Sequence, residues 1–139
     1  MFITDSTIIE SLAIAYIEDA VRHGVARTIH NTRTSREERQ QWAKMVIDYE
    51  GRRSARMETV EVIDRALARD IASAFHAVEE ELWGVIAERF GVEGAPRDII
   101  TAMGDGYGDV YDVLDEQLEG MARAEARRIV ARRSSEEVR

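Results

Sequence analysis

The sequence predicts an all-α fold, a single-domain bundle of four to five helices spanning residues 1–139. Three observations support this prediction. Apolar residues recur every three or four positions along most of the chain, which is the period of an amphipathic helix. Alanine, glutamate and arginine are abundant and there is a single proline, so the composition favours helix over sheet. With 139 residues, 45% of them hydrophobic, the chain has room for one core.

The first predicted helix begins at a capping box formed by Thr7 and Glu10. Over residues 8–17 the chain is apolar on nearly every side, and the pattern continues to Ile29. A helix that is apolar all round is buried all round, so we expect it to lie at the centre of the bundle or at a dimer interface.

A second capping box, Thr34 with Glu37, opens the next helix. Gly51 weakens that helix, and we expect residues 52–54 to form a hinge. One long central helix is predicted to follow over residues 54–90. At about 55 Å it would be longer than a compact domain of this size is wide, so either it kinks or its end projects into a partner. Its apolar stripe comprises Val60, Ile63, Leu67, Ile71, Ala74, Val78, Leu82 and Val85.

The second half of this long helix carries another, weaker apolar side, formed by Ala72, His76, Trp83, Ala87 and Phe90. A tryptophan is rarely left fully in water, so this side is expected to be covered as well. Cover on both sides indicates either a central position in the fold or a homo-oligomer contact. We predict a homodimer with a contact through Trp83, Phe90 and His76.

The remaining elements follow from glycine and cap signals. Gly91 is a typical helix C-cap, and a short helix is predicted over residues 97–103. The glycine-rich stretch 104–108 is expected to be the most flexible part of the chain. Asp109 opens the last helix, and residues 134–139 are expected to fray.

Charge is distributed unevenly along the chain. Between Glu58 and Glu119 there are 16 acidic residues and 4 arginines, whereas the formal net charge of the whole chain is −8. Such an acidic region repels nucleic acid and anionic membranes and attracts basic protein surfaces. The predicted interaction surface comprises Asp109, Asp112, Asp115, Glu116, Glu119, Glu79 and Glu80. The simpler alternative is that these carboxylates are ordinary solvated helix surface.

Composition also argues against several classes of protein. Without cysteine there can be no disulfide, thiolate zinc site or cysteine nucleophile. No apolar run approaches the roughly 20 residues of a membrane span, and no secretory signal is visible. We expect a cytoplasmic protein with no metal site, no cofactor and no direct contact with nucleic acid or membrane.

An enzymatic alternative comes from Arg69, Asp70 and His76. This segment resembles the Arg-x(4–6)-His signature of HEPN ribonucleases, in which a polar residue typically follows the arginine. The resemblance implies an all-helical dimer that cleaves RNA without metal. In such chemistry the arginine stabilises phosphate charge and the histidine transfers a proton. The acidic surroundings oppose it, because they repel RNA.

The leading functional prediction is therefore a non-enzymatic interaction module. Its acidic helical surface would bind a basic partner, expected to be a protein that handles nucleic acid. In size and charge the chain is similar to small acidic helical proteins of phages and mobile elements that inhibit host defence, anti-CRISPR proteins among them. A HEPN-like ribonuclease and a self-assembling structural protein are the alternatives.

Overall fold

The computed structural model describes residues 2–138, with side chains described as far as residue 135. Four long helices and one short helix account for most of this range. They are α1 (Ser6–Thr32), α2 (Arg36–Ile63), α3 (Arg65–Phe90), α4 (Pro96–Met103) and α5 (Gly108–Val138). No strand occurs within residues 2–138. The predicted all-α class is confirmed.

The four long helices form an up-down-up-down bundle. Residues near the start of α1 contact the end of α5, where the Arg133 guanidinium donates to the Ile3 carbonyl at 3.1 Å. Further along, Arg22 of α1 pairs with Asp115 of α5 at 3.0 Å, so these two helices are antiparallel. α1 packs against all four other α-helices, which explains why it is apolar on nearly every side.

The buried core is shared unequally among the helices. α1, α3 and α5 each contribute a continuous row of buried apolar side chains. α2 contributes only Trp42 and Val60, although it lies along the whole of α1. Its remaining contacts with the bundle are made by half-buried and polar side chains, so α2 is the least hydrophobically anchored of the long helices.

The predicted long central helix over residues 54–90 is wrong. Asp64 interrupts it with an extended backbone (φ −153°, ψ 95°), ending α2 at Ile63 and starting α3 at Arg65. The Asp64 carboxylate accepts a hydrogen bond from the Leu67 backbone N–H at 3.0 Å and thereby caps α3. The hinge predicted at residues 52–54 is absent, because α2 continues through this region without a break.

Several helix ends also differ from expectation. α1 is capped by Asp5, whose carboxylate accepts from the Thr7 backbone N–H at 2.9 Å, and not by the predicted Thr7 box. The N-cap of α2 is Ser35, which makes no side-chain capping bond, and not Thr34. Gly91 does end α3 in the left-handed conformation (φ 66°), as predicted. α5 is helical as far as Val138, and the fraying of residues 134–139 stays a prediction.

The glycine-rich stretch forms a short 3₁₀ helix, Gly104–Tyr107, and its expected flexibility stays a prediction. Arg33 donates to the Gly104 carbonyl at 3.1 Å, and its guanidinium lies 4.5 Å from the centre of the Tyr107 ring. The Trp42 indole N–H donates to the Tyr107 hydroxyl at 3.2 Å. These long-range contacts hold a segment whose composition favours flexibility.

Candidate functional site

The structure places five of the predicted interaction residues on one exposed side of α5. Spacings of three and four residues put them on adjacent turns of a single helix face. They are Asp109, Asp112, Asp115, Glu116 and Glu119, and all five are exposed. We call this set the α5 acidic surface. Glu79 and Glu80 are not part of it, because they line a shallow groove between α3 and α4.

Arginines of the same chain neutralise part of the α5 acidic surface. Asp115 pairs with Arg22 of α1 at 3.0 Å, and Glu119 pairs with Arg123 at 2.8 Å. A third pair joins Arg89 of α3 to Glu116, also at 3.0 Å. Hydrogen bonding from this guanidinium lowers the pKa of Glu116.

The other two carboxylates of the surface, Asp109 and Asp112, are in a different situation. Within the described part of the chain, no basic side chain lies within 4.0 Å of either one. Both stand at the start of α5, where the helix dipole favours negative charge. Within the α5 acidic surface, these two side chains are therefore the carboxylates most available to an external cation.

A residue that sequence reasoning missed extends this surface onto α1. Glu18 is half-buried beside α5. Burial raises the pKa of Glu18, the positive charge of Arg22 opposes this, and the nearby Glu119 adds to it. The sequence around Glu18 is mostly apolar and does not indicate a charged surface. The carboxylates of that surface belong to a helix about a hundred residues later.

The side of α3 that carries the predicted dimer contact is partly covered within the single chain, and the contact itself stays a prediction. Trp83 is only 8% exposed within the single chain. Pro96 and Ile99 of α4 line the same groove as Trp83 and cover part of the side of α3 that carries it. Phe90 is half-buried and His76 is exposed. The tryptophan that suggested a dimer is thus covered by the chain's own short helix.

The residues of the HEPN-like alternative are only partly brought together. Arg69 and His76 are both exposed and lie seven residues apart on one side of α3, about 10 Å along its axis. Asp70 points elsewhere, toward Arg133 of α5, with 3.9 Å between its carboxylate and the guanidinium. Arg69 and His76 line two different grooves, and Glu79 and Glu80 share the groove of His76.

A polar cluster between α1 and α2 was not predicted. Arg53 of α2 donates from Nη2 to the Tyr16 hydroxyl at 3.0 Å, and its Nη1 lies 3.2 Å from Nδ1 of His23. The guanidinium also lies 5.1 Å from the centre of the Phe75 ring. Among the described residues no carboxylate lies within 4.0 Å of this cation. We call Tyr16, His23 and Arg53 the Arg53 cluster.

His23 is buried in this cluster with an exposed fraction of 6%. Burial lowers the pKa of His23, and the positive charges of Arg53 and Arg27 lower it further against the opposing effect of Glu50. The neutral imidazole can accept a hydrogen bond from Arg53 through Nδ1. The arrangement therefore holds a positively charged guanidinium against neutral acceptors.

Two shallow grooves adjoin the Arg53 cluster and share Tyr16, Met57 and Glu61. The larger one, of about 460 Å³, is bordered by Arg65 and Arg69 of α3. The smaller one, of about 280 Å³, is bordered by Arg53 and Glu58. Arginine side chains could pair with an anion here, but the two glutamates offset much of that charge.

Neither a metal site nor a membrane span is found in the described range. Within residues 2–138, no three His, Asp or Glu side chains converge as a metal site requires. In the same range no helix combines the length and the apolar character needed to cross a bilayer.

Comparisons with known proteins do not extend this description. No protein-family model, curated protein or solved structure matches the chain. The class that can be stated is that of the fold, an all-α up-down-up-down bundle with a short fifth helix. A fold of this class can host many unrelated functions, so the function of this chain depends on the chemistry of its surfaces.

Proposed function

We propose that this protein is a non-enzymatic interaction module whose α5 acidic surface binds a basic surface of another protein. The observation that carries the proposal is the row of exposed carboxylates on one side of α5, in which Asp109 and Asp112 have no basic partner among the described residues. A partner arginine or lysine could pair with them without first breaking an ion pair.

The proposed partner is a protein that handles nucleic acid. Carboxylate oxygens are acceptors with negative charge, as phosphate oxygens are, and both pair with arginine in the same geometry. A protein surface that neutralises phosphates would therefore also attract a row of carboxylates. Occupying that surface would block nucleic acid, so the module would inhibit its partner. Inhibitors of host defence encoded by phages or mobile elements are the biological form we propose.

The three carboxylates that already pair with arginines lie at the edge of the proposed binding surface. Arg22, Arg89 and Arg123 hold Asp115, Glu116 and Glu119 along its border. Exposed ion pairs of this kind contribute little to stability, so a partner cation can compete for them. We expect Asp109 and Asp112 to contribute most of the affinity and the three paired carboxylates to contribute less.

The test is a tagged pull-down from native cells, with mass spectrometry and an assay for bound RNA. Wild-type protein is compared with the double variant Asp109→Asn/Asp112→Asn. Its control is Glu37→Gln/Glu50→Gln, which removes the same charge from exposed positions on α2. We expect one stoichiometric basic protein that is lost at high salt and by the α5 variant, and retained by the control.

The captured protein is then tested for competition. Added nucleic acid should displace the module if both occupy one basic surface. Equal capture by the α5 variant and the wild type would contradict the proposal, and so would a captured protein whose binding is insensitive to salt.

A metal-independent ribonuclease is the second candidate. The exposure of Arg69 and His76 on one side of α3 favours it. This function predicts RNA cleavage in the presence of a chelator, abolished by His76→Ala and unaffected by His30→Ala. Absence of cleavage, or full cleavage by His76→Ala, excludes it.

A further inference from the structure

The outer side of α2 carries apolar side chains that none of the described residues covers. Ile47 is 70% exposed and Val62 is 87% exposed, the two largest values among the large exposed hydrophobic residues. Gly51 and Ala55 lie between them on the same helix face, at spacings of four and seven residues, and both are exposed. We call these four residues the α2 outer stripe.

The described chain does not require a glycine at position 51 for space. Gly51 lies inside a helix, where glycine destabilises relative to alanine. A Cβ placed on it would meet nothing within 4 Å. Gly84 and Gly120 are also open inside helices, but only Gly51 stands between two large exposed apolar residues. A glycine at such a place allows a second helix to approach closely.

We propose that the α2 outer stripe is the interface of a homodimer, in which two copies of α2 pack antiparallel about a two-fold axis at Gly51. The occupant is a second copy of this chain, and the charges along the stripe select it. In this register Ile47 faces Ala55 of the second copy, and Gln40 faces its Val62. Each pairing occurs twice because the axis relates the two copies.

Charge determines the direction of the pairing. Lys44, the only lysine of the chain, lies seven residues before Gly51, and Glu58 lies seven residues after it. Both are exposed, and neither forms an ion pair within the described chain. The antiparallel register therefore places Lys44 of each copy opposite Glu58 of the other. A parallel register would place lysine against lysine and glutamate against glutamate, which is unfavourable.

The size of the contact indicates a concentration-dependent dimer. From Gln40 to Val62 the helix extends about 33 Å. A single helix pair of this length is near the small end of specific interfaces, so folded monomers should coexist with dimers. The ion pairs at the border of the α5 acidic surface are made with α1 and α3 and not with α2, so this surface does not overlap the α2 outer stripe and remains exposed in the dimer. The dimer does not depend on the proposed function, since it forms without any partner.

The test measures molar mass by sedimentation equilibrium over a wide range of protein concentration. We expect the wild type to change from monomer to dimer and to form nothing larger. Ile47→Glu should remain monomeric. Its control is Ile8→Glu, which introduces the same charge at an exposed isoleucine of α1 and should dimerise like the wild type. Far-UV circular dichroism verifies that each variant is folded.

A charge exchange tests the register. Lys44→Glu alone and Glu58→Lys alone should each raise the dimer Kd about tenfold, because two attractive pairs become repulsive. The double variant Lys44→Glu/Glu58→Lys should restore the wild-type Kd. A wild type that stays monomeric, a dimer that survives Ile47→Glu, or a double variant no better than the singles would each overturn the proposal. A dimer broken by Phe90→Glu but not by Ile47→Glu would return the interface to the side of α3 that carries Phe90.

Discussion

Arg133 and Arg53 both point into the bundle, but their guanidinium groups differ in burial and in the partners that hold them. Arg133 is buried and pairs with the buried Asp64 at 2.6 Å, while also donating to the Ile3 carbonyl. Arg53 is half-buried and is held by the Tyr16 hydroxyl and His23, with no carboxylate within 4.0 Å in the described chain. In the region around Arg133 the guanidinium is buried and its charge is compensated by a buried carboxylate. The region around Arg53 is open to solvent and held by weaker contacts.

The largest effect is expected in the region around Arg133. Asp64→Asn keeps the ability to cap α3 but leaves the buried Arg133 with the more distant and partly exposed Asp70 carboxylate, 3.9 Å away, in place of its close counter-charge. Removing one partner of a buried ion pair should lower the free energy of unfolding by about 4 kcal/mol. Urea denaturation at neutral pH measures this loss. A change below about 1 kcal/mol would mean that Arg133 finds another partner or reaches solvent.

Acid should abolish the contribution of the Asp64–Arg133 ion pair to the free energy of unfolding. Burial alone would raise the pKa of Asp64, but the backbone N–H groups of Ile3 and Leu67 and the Arg133 guanidinium outweigh it and lower that pKa below 3.8. The stability from Asp64 is therefore present above that value and is lost as pH falls through the lower folded-state pKa. Asp64→Asn should not show this loss.

Apolar truncations extend the comparison to packing. Leu67 is fully buried beside Asp64, whereas Met57 is half-buried beside Arg53. Leu67→Ala should cost about 3 kcal/mol because it leaves a cavity in the core. Met57→Ala should cost about 1 kcal/mol because its site already opens to a groove. Urea denaturation in one buffer, at one protein concentration, tests the pair. Equal losses would show that α2 is packed as tightly as α3.

A smaller effect on the free energy of unfolding is expected from removing Arg53, whose surroundings are open to solvent. Arg53→Met keeps much of the side-chain volume. Tyr16 and His23 are buried, but the grooves that Tyr16 lines let water approach and replace the lost bonds. The free energy of unfolding should fall by about 1 kcal/mol. Arg52→Met is the matched control, because Arg52 is exposed and pairs only with Asp48 on the same helix. A loss as large as that of Asp64→Asn would remove the distinction between the two regions.

The smallest effect is a pH dependence at His23. Its lowered pKa means that the folded state favours the neutral imidazole. The corresponding stability is complete above the ordinary value of 6.5 and is lost as pH falls from there toward the folded-state pKa. Unfolding free energies measured between about pH 5 and about pH 7 should therefore rise with pH. His23→Gln should flatten this rise, and an unchanged slope would show that another group titrates.

Local patterns in the sequence predict the helices well, and long-range pairings account for what they miss. The apolar periodicity and the cap at Gly91 are encoded by neighbouring residues, and both predictions are confirmed. At the break between α2 and α3, Asp64 is paired with Arg133, which lies 69 residues later. In the sequence this arginine belongs to a basic stretch that is typical of a helix surface. The carboxylate row of α5 follows from helical spacing. Its neutralisation by Arg22 and Arg89 depends on two other helices.

The region around Arg53 was missed for a related reason. Two adjacent arginines after a glycine are typical of a hinge, yet Arg53 occupies an inward position of an unbroken α2. Its acceptors lie on α1, 30 and 37 residues earlier in the chain. The sequence indicated that the side of α3 carrying Trp83 is covered, but not that α4 lies beside it, because that helix is short and follows a loop.

The junction at Asp64 also has a consequence for synthesis. A growing chain emerges from its N-terminus, so Ile3 and Asp64 are available long before Arg133 is made. Until then the Asp64 carboxylate has no counter-charge and must stay hydrated, which keeps the α2–α3 turn from being buried. Among the described helices, α5 is therefore the one whose synthesis lets this junction be buried. The helices before it can associate, but the turn at Asp64 closes only when the end of α5 has been made.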